Sequence, residues 1–417
     1  APRIRDRKLL RYVPRSLKAT PLKADTSNSS IMKVVIAHGI DLCEPYLDNR
    51  VALEAEAIME AGHEITVVCW ARTVSGEIID RAEEEVVSGV NVRRVFSPAS
   101  TPDKPLPKRI FEHLLAKQRI SKIIKDLDPD IVHFNDLDTA VIALFWSNGP
   151  VWVYDAREYY AGMISHLPWP LPDLANFLEK WVVRKADGVI TVSPVIMRRL
   201  ASYGASNRIL IYNSREPDRF VASEKSGELR RQWGVKPDEL VVIYIGSLGP
   251  GRSIIEMIDA VDNMDRISFI VGGHGVWARK IKETAAKSGK TRFVGPIPSG
   301  DLPDYYGAAD IVLGALDPNY PNHQLAMPNK LFESISAGRP LVAARGTLVG
   351  DVIEKEGIGE VTDYGYRDKL IQALRKLRNP EIRRKYGDRG LELAKGEYGW
   401  RWQAQKLQAL YRSIAKA

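Results

Sequence analysis

Short apolar runs alternate with amphipathic segments along most of the chain. The run MKVVIAHG at 32–39 reads as a strand that ends in glycine, and the helix-like stretch 51–63 leads from it to the strand-like ITVVCW at 65–70. Such alternation predicts a parallel sheet with helices on both faces. The remaining units of this first set are helix 111–126 with strand 130–134, a helix near 139–147 with strand 151–156, helix 173–186 with strand 188–193, and a last strand at 208–212.

The alternation begins again after a polar, charged stretch at 213–236. PDELVVIYIGSLGPGR at 237–252 is an apolar strand with a Gly-rich turn, and helix 254–264 follows it. Further strands are predicted at 267–273, 291–296, 310–315, 340–344 and 359–363. The fold class is therefore α/β, with one Rossmann-like domain at 31–212 and a second at 213–392. Sheets of this kind bind ligands at the carboxyl ends of their strands, which predicts a site in the cleft between the domains.

Composition adds a separate N-terminal segment to this picture. The 417 residues carry a net charge of +8, and residues 1–30 hold eight Lys/Arg against two Asp. The rest of the chain is close to neutral, which argues against a nucleic-acid partner. Residues 1–30 are either a flexible basic extension or a segment that contacts anionic lipid headgroups. Two cysteines and no long apolar stretch predict a cytoplasmic protein, with peripheral contact at the inner membrane face as the finer option.

The stretch AMPNKLFESISAGRPLVAA at 326–344 carries the first candidate chemistry. Pro328 suits the first turn of a helix and Gly338 suits its end, so a short helix is predicted at roughly 328–337. Lys330 and Glu333 then lie one turn apart beside the free N–H groups of the helix N-terminus, where a phosphate and a pair of ribose hydroxyls could bind. The alternative is an ordinary ion pair on a solvated surface.

Three further loops follow predicted strands. GSLGPGRS at 246–253 combines glycines with Arg252, whose guanidinium can bind phosphate through two hydrogen bonds. GGHGVW at 272–277 places His274 at a strand end, facing a ligand or simply completing the turn. VGPIPSGDLPDYYGAADIVL at 294–313 offers backbone groups to a base, or is an ordinary loop. Each loop alone is a weak signal.

The ordered set of these motifs resembles the family 4 glycosyltransferases, retaining enzymes of GT-B architecture. In the second half the resemblance rests on GSLGPGR, GGHG, VGPIP…LPDYYGAADIVL and PNKLFESISAGRPLV, and the last of these is typical of a PNKLFE-type branch. In the first half it rests on DNRVALEAEAIMEAGHEITVV, DIVHFNDLDT, VYDAREYY, GVITVSP and IYNSREPDRF. The resemblance covers about residues 32–411 and implies that 393–417 form a C-terminal crossover helix that returns to the first domain.

The resemblance implies a role for each matching residue. Arg252 and Lys330 would hold the diphosphate of a nucleotide-sugar donor and stabilise its charge as it leaves. Glu333 would bind the ribose, and Ile297 would meet the base. The other implied donor residues are Gly246, Ser247, His274 and Asn329. The implied acceptor side consists of Gly39, Asp48, Asn135, Asp136, Arg157 and Glu158.

Two positions depart from the family pattern. Many members carry a glutamate eight residues before the position of Glu333, where it contacts the donor sugar, but this chain has Leu325. Several members carry a histidine where this chain has Arg157, and an arginine cannot act as a base at neutral pH. Asn322, His323, Gln324 or nearby backbone N–H groups are candidates to replace the missing glutamate, and Arg157 is expected to act electrostatically or structurally.

The resulting prediction is a metal-independent retaining glycosyltransferase without a cofactor, whose donor is a nucleotide-diphosphate sugar and whose acceptor is a glycan, a lipid or a small molecule. DLD at 126–128 is read as solvated surface and DLD at 136–138 as acceptor-side lining, so neither is assigned a metal. Two alternatives stay open. One is a sugar-nucleotide epimerase or hydrolase on the same fold, and the other is a non-catalytic protein that binds a nucleotide sugar.

Overall fold

The computed structural model describes residues 31–43, 48–73, 78–87, 89–98, 101, 104–146 and 149–415. The predicted basic extension at 1–30 lies outside these residues. The described chain forms two open α/β sheets, each covered by helices on both faces. Among the described helices, none combines the length and apolar character that a bilayer crossing needs.

The first sheet has eight strands in the order β3-β4-β2-β1-β5-β6-β7-β8. Its strands are β1 (Lys33–His38), β2 (Glu64–Trp70), β3 (Glu84–Val87), β4 (Val90–Val95), β5 (Ile131–Asn135), β6 (Val151–Ala156), β7 (Gly188–Thr191) and β8 (Arg208–Leu210). All neighbouring pairs are parallel except β3 with β4, which form an antiparallel hairpin at one edge. The helices that connect these strands are α1 (Asn49–Glu60), α2 (Leu106–Leu127), α3 (Asp136–Ala140), α4 (Tyr160–Met163), α5 (Leu171–Lys185) and α6 (Pro194–Ser202), with a 3₁₀ turn at Val141–Phe145.

The second sheet has six parallel strands in the order β11-β10-β9-β12-β13-β14. They are β9 (Leu240–Ile245), β10 (Ile267–Gly272), β11 (Thr291–Gly295), β12 (Ile311–Leu313), β13 (Leu341–Ala344) and β14 (Gly359–Thr362). The helices around them are α7 (Lys225–Gln232), α8 (Ile254–Asp262), α9 (Ala278–Lys287), α10 (Leu302–Ala308), α11 (Pro321–Leu325), α12 (Asn329–Ser336), α13 (Leu348–Glu356), α14 (Arg367–Lys376) and α15 (Pro380–Lys395), with a 3₁₀ turn at Ser299–Asp301. The last helix is α16 (Trp400–Ile414).

The chain returns to the first domain at its C-terminal end. α15 belongs to the second domain, where Leu393 and Ala394 enter the hydrophobic core. α16 instead packs beside β1 and α1 in the core of the first domain, to which it contributes Trp400, Ala404, Leu407, Leu410, Tyr411 and Ile414. The crossover therefore starts about seven residues later than the predicted 393, because α15 continues to Lys395.

The structure confirms the predicted α/β class with two Rossmann-like domains, and it corrects several details. The sequence prediction missed the hairpin β3–β4, so the first sheet is not wholly parallel. The helix predicted near 139–147 is the short α3 followed by the 3₁₀ turn. α12 begins at Asn329 with Pro328 as the residue before it, and Gly338 takes the left-handed conformation (φ +63°) predicted for the helix end.

Candidate active site

A cleft of about 420 Å³ separates the carboxyl ends of the two sheets. All eight donor-side residues of the sequence prediction line it: Arg252, Lys330, Gly246, Ser247, His274, Ile297, Asn329 and Glu333. On the acceptor side Asp48, Asp136, Arg157 and Glu158 line it as well. The cleft thus brings together residues from both domains that are far apart in the sequence.

Two positively charged side chains, Arg252 and Lys330, line the second-domain wall of this cleft. Lys330 is only 9% exposed, and its Nζ lies 3.1 Å from the centre of the Tyr244 ring. Burial lowers the pKa of Lys330 well below its ordinary value, and nearby Arg252 lowers it further. Among the described residues, no carboxylate lies within ion-pair distance of Arg252 or Lys330. An anionic ligand would compensate both charges, and the free N–H groups at the start of α12 lie beside them.

The turns around the cations are packed backbone against backbone. A Cβ on Gly273 would lie 1.9 Å from the carbonyl oxygen of Gly246, and both residues have positive φ angles. Gly273 is therefore required by the close approach of the turns that follow β9 and β10, and the positive φ of Gly246 favours glycine there as well. His274 lines the cleft, and burial lowers the pKa of its imidazole.

Glu333 is buried at 6% exposure, with both carboxylate oxygens occupied. Oε1 accepts a hydrogen bond of 2.6 Å from Nη2 of Arg215, and Oε2 accepts one of 2.7 Å from the Tyr306 hydroxyl. The alternative of a solvated Lys330–Glu333 pair is wrong, since both residues are buried and Glu333 pairs with Arg215. Each oxygen keeps a further lone pair, so the carboxylate can still accept from a ligand hydroxyl.

Arg157 lies between two carboxylates on the first-domain wall. Its Nη1 donates to Asp48 Oδ2 at 2.7 Å, and its Nε and backbone N–H donate to Asp136 at 3.3 and 3.0 Å. Burial would raise the pKa of Asp48, but Arg157 and His38 hold it well below its usual range. Burial also raises the pKa of Asp136 to about 7, against the opposing effect of Arg157. Arg157 thus has the ion-paired surroundings expected for an electrostatic or structural role.

Two predicted acceptor residues do not border the cleft. Asn135 is 1% exposed at the end of β5, and Gly39 packs against Asp138, whose Oδ2 would lie 2.6 Å from an added Cβ. The backbone carbonyl of Gly39 accepts a hydrogen bond from Arg72 Nε at 2.8 Å. Both residues therefore support the first-domain wall, and their predicted contact with an acceptor stays a prediction.

One group of three side chains in the described chain has metal-ligand spacing. Glu54, His133 and Asp155 lie together in the buried interior of the first domain. The guanidinium of Arg50 already binds both carboxylates, at 2.8 Å from Glu54 and 2.9 Å from Asp155. His133 Nδ1 shares a hydrogen bond of 2.8 Å with the Tyr411 hydroxyl. Since Arg50 already balances the two carboxylates with a positive charge, we interpret this cluster as a structural network that holds α16 against the first domain.

Sequence reasoning missed several residues of the site. Arg215 stands in the quoted IYNSREPDRF stretch, yet nothing in the sequence reveals that it pairs with a glutamate 118 positions away. Arg50 and Asn213 also line the cleft. Arg50 Nη1 donates to Asn213 Oδ1 at 3.1 Å, and Asn213 Nδ2 donates to the carbonyl of Met327 at 3.0 Å, which links the two domains.

Family comparisons agree with this architecture. Residues 48–219 match the family model described as Glycosyltransferase Family 4, and residues 252–409 match the model described as Glycosyl transferase-like. A D-inositol 3-phosphate glycosyltransferase from Kribbella flavida is 24% identical over 99% of this chain and 97% of its own length.

Solved structures share the fold. The sucrose-phosphate synthase of Thermosynechococcus elongatus superposes with a TM-score of 0.75 at 17% identity, over 92% of this chain and 99% of that one. Anabaena HepE in complex with UDP and glucose gives 0.69 at 15% identity, over 92% of this chain and all of that one. With the family models, the relatives and the two-domain cleft taken together, this chain belongs to the family 4 glycosyltransferases of GT-B architecture.

Proposed function

We propose that the protein transfers a sugar from a nucleotide-diphosphate sugar to an acceptor hydroxyl, with retention of the anomeric configuration and without a metal ion. The observation that carries this proposal is the pair Arg252 and Lys330, two cations without carboxylate partners among the described residues, at a helix N-terminus in the interdomain cleft. A diphosphate is the ligand that this arrangement fits best, because it brings two negative charges and several acceptor oxygens.

The reaction needs stabilisation of charge more than proton transfer by a side chain. The bond between the anomeric carbon and the phosphate oxygen breaks, and positive charge grows on the sugar. Arg252, Lys330 and the α12 N-terminus stabilise the negative charge that develops on the leaving diphosphate. The acceptor oxygen bonds to the same face of the sugar, and the departing phosphate oxygen takes its proton.

The proposal is tested by a panel of UDP-glucose, GDP-mannose and ADP-glucose. We expect one nucleotide class to raise the melting temperature, and binding should survive treatment with EDTA. UDP-glucose is the first probe because HepE is known in complex with it. NMR of the product then reports the anomer. An inverted product, or loss of activity with EDTA, would contradict the retaining or the metal-independent part.

The two alternatives give different results in the same assays. A hydrolase would release free sugar at an undiminished rate without any acceptor, and an epimerase would change the sugar while leaving the diphosphate linkage intact. A non-catalytic binding protein would show affinity without turnover for every acceptor. Asp136 lines the cleft, and burial raises its pKa to about 7, so a hydrolase could use it as a base. In a hydrolase, Asp136→Asn should therefore abolish the release of free sugar without an acceptor.

Contact with an anionic membrane is part of the proposal for the acceptor. α2 and α5 both follow strands of the first sheet and share one hydrophobic core, so both begin near the cleft edge of that sheet. The N-terminal halves of the two helices expose Phe111, Leu114, Leu174 and Phe177. Exposed Lys108 and Lys122 on α2 supply the positive charge that anionic headgroups attract.

Flotation with anionic and neutral vesicles tests the membrane contact. Removal of residues 1–30 and the double change Phe111→Ser/Phe177→Ser should each weaken binding to anionic vesicles. Val221→Ser, at an exposed apolar position of the second domain, is the matched control. Equal flotation of all four proteins would end the membrane proposal and leave a glycan or small-molecule acceptor.

A further inference from the structure

The residue at the position of the family's sugar-contacting glutamate does not face the cleft. Leu325 is 7% exposed and belongs to the hydrophobic core of the first domain, although it stands on α11 of the second. Its neighbours Ala326 and Met327 border the cleft, and they offer only backbone groups for hydrogen bonds there. The second domain therefore presents no acidic side chain from this segment to a donor sugar.

A carboxylate from the first domain stands opposite the same segment. Glu158 lines the cleft, and its Oε2 accepts a hydrogen bond of 2.6 Å from Nδ2 of Asn322 on α11. The amide oxygen of Asn322 in turn accepts a bond of 2.9 Å from the backbone N–H of Tyr159. One asparagine thus fixes the position of Glu158 relative to the second domain.

The contact around this asparagine is close. A Cβ on Gly162 would lie 3.1 Å from the backbone nitrogen of Asn322 and 2.4 Å from the Tyr159 ring. Glycine at this position lets the backbone of α4 approach α11 directly. Glu158 and Asn322 therefore meet at a defined interdomain contact beside the cleft.

Glu158 keeps hydrogen-bonding capacity for a ligand. Its neighbour Arg157 is engaged by Asp48 and Asp136, and within the described chain no cation lies at ion-pair distance from Glu158. Oε2 carries the bond to Asn322, whereas Oε1 accepts no hydrogen bond from a described residue. A carboxylate with a free oxygen, bordering a cleft with cations at its other wall, is suited to accept from sugar hydroxyls.

We propose that Glu158 binds hydroxyl groups of the donor sugar and that Asn322 positions Glu158. Glu158 would thus take the role of the glutamate that many family members carry at the position of Leu325. This inference rests on the proposed function, since it places a sugar between Glu158 and the diphosphate on Arg252 and Lys330. The nucleotide is held by the second domain and the sugar by the first. The sugar accordingly adds to the affinity of the nucleotide only when the two domains are closed.

The test compares, for each variant, the dissociation constants of a nucleotide and of the same nucleotide carrying its sugar. UDP and UDP-glucose are the first pair, with GDP and GDP-mannose or ADP and ADP-glucose where the panel above selects them. Glu158→Gln and Asn322→Ala should leave the affinity for the nucleotide within twofold of wild type. Both should weaken binding of the nucleotide sugar at least tenfold. Glu60→Gln, at an exposed glutamate on α1, is the control.

The outcomes separate the inference from the function on which it rests. Wild-type affinity of Glu158→Gln and Asn322→Ala for the nucleotide sugar, with intact nucleotide binding, overturns the inference alone. Failure of the wild-type protein to bind any nucleotide of the panel overturns the proposed function and the inference with it. Leu325→Glu, added to Glu158→Gln, is a further variant to measure. We expect it to weaken domain closure and not to restore the affinity for the nucleotide sugar. Restored affinity would show that the side chain at position 325 can reach the cleft.

Discussion

Replacing Lys330 by methionine should separate activity from stability. Methionine nearly preserves the volume of the side chain but removes its charge. In the free protein the ammonium is buried, faces the aromatic ring of Tyr244 and lies near the like charge of Arg252. Removing it relieves the cost of an uncompensated buried charge but loses a cation–π contact of about 2 kcal/mol. These effects oppose each other, so the free energy of unfolding should change by less than about 1.5 kcal/mol.

The effect on turnover should be much larger. A donor that stabilises charge in the transition state is worth about 3–4 kcal/mol, which corresponds to a loss of roughly 100- to 1000-fold in rate. The assay is release of the nucleotide from the donor that the binding panel selects, with urea unfolding measured on the same preparation. Lys282→Met, at an exposed lysine on α9, is the control. A rate within fivefold of wild type would refute the assignment, as would a loss of activity that merely follows loss of the fold.

Three further predictions follow from the buried contacts. Arg215→Met leaves Oε1 of Glu333 buried without its partner and should lower the free energy of unfolding in urea by about 3–5 kcal/mol. The double variant Arg215→Met/Glu333→Gln should recover most of this loss. An Arg215→Met protein as stable as wild type would contradict the prediction. Diphosphate binding should raise the lowered pKa of Lys330. At a pH between the pKa of Lys330 in the free protein and its pKa in the complex, binding should therefore take up a proton, and affinity should fall as pH rises through that interval. Calorimetry in buffers of different ionisation enthalpy should detect this uptake in wild type but not in Lys330→Met. Tyr411→Phe removes the partner of His133 Nδ1 and should lower stability by about 1–3 kcal/mol, and an unchanged unfolding midpoint would show that this bond does not hold α16 in place.

The donor wall was predictable because its residues are local in sequence. Asn329, Lys330 and Glu333 share one helix, and Gly338 marks its end, so spacing alone places them together. The hydrogen-bonding partners of the cleft carboxylates are not local in sequence, since Arg215 and Glu333 lie 118 positions apart and Asn322 and Glu158 lie 164 apart. No periodicity encodes such pairs, because the first depends on how the second domain folds and the second on how the two domains meet.

The errors in the fold have a similar physical origin. β3 is four residues long, lies at the sheet edge and has no fully buried side chain, so it lacks the apolar run that marks the inner strands. Gly39 and Asn135 stand at strand ends as predicted, but their distance from the cleft depends on the side chains around them. Strand position identifies the edge of a sheet that carries a site, and packing decides which residues at that edge reach it.

The return of α16 to the first domain has a consequence for biosynthesis. Six of its side chains complete a core whose other members lie between Met32 and Ile211. Domains usually fold as they leave the ribosome, N-terminal domain first. Here the first domain has to wait until residues 400–414 have emerged, by which time the whole second domain has been translated. A chain that ends before residue 400 therefore lacks these six side chains and leaves apolar surface beside β1 and α1 uncovered.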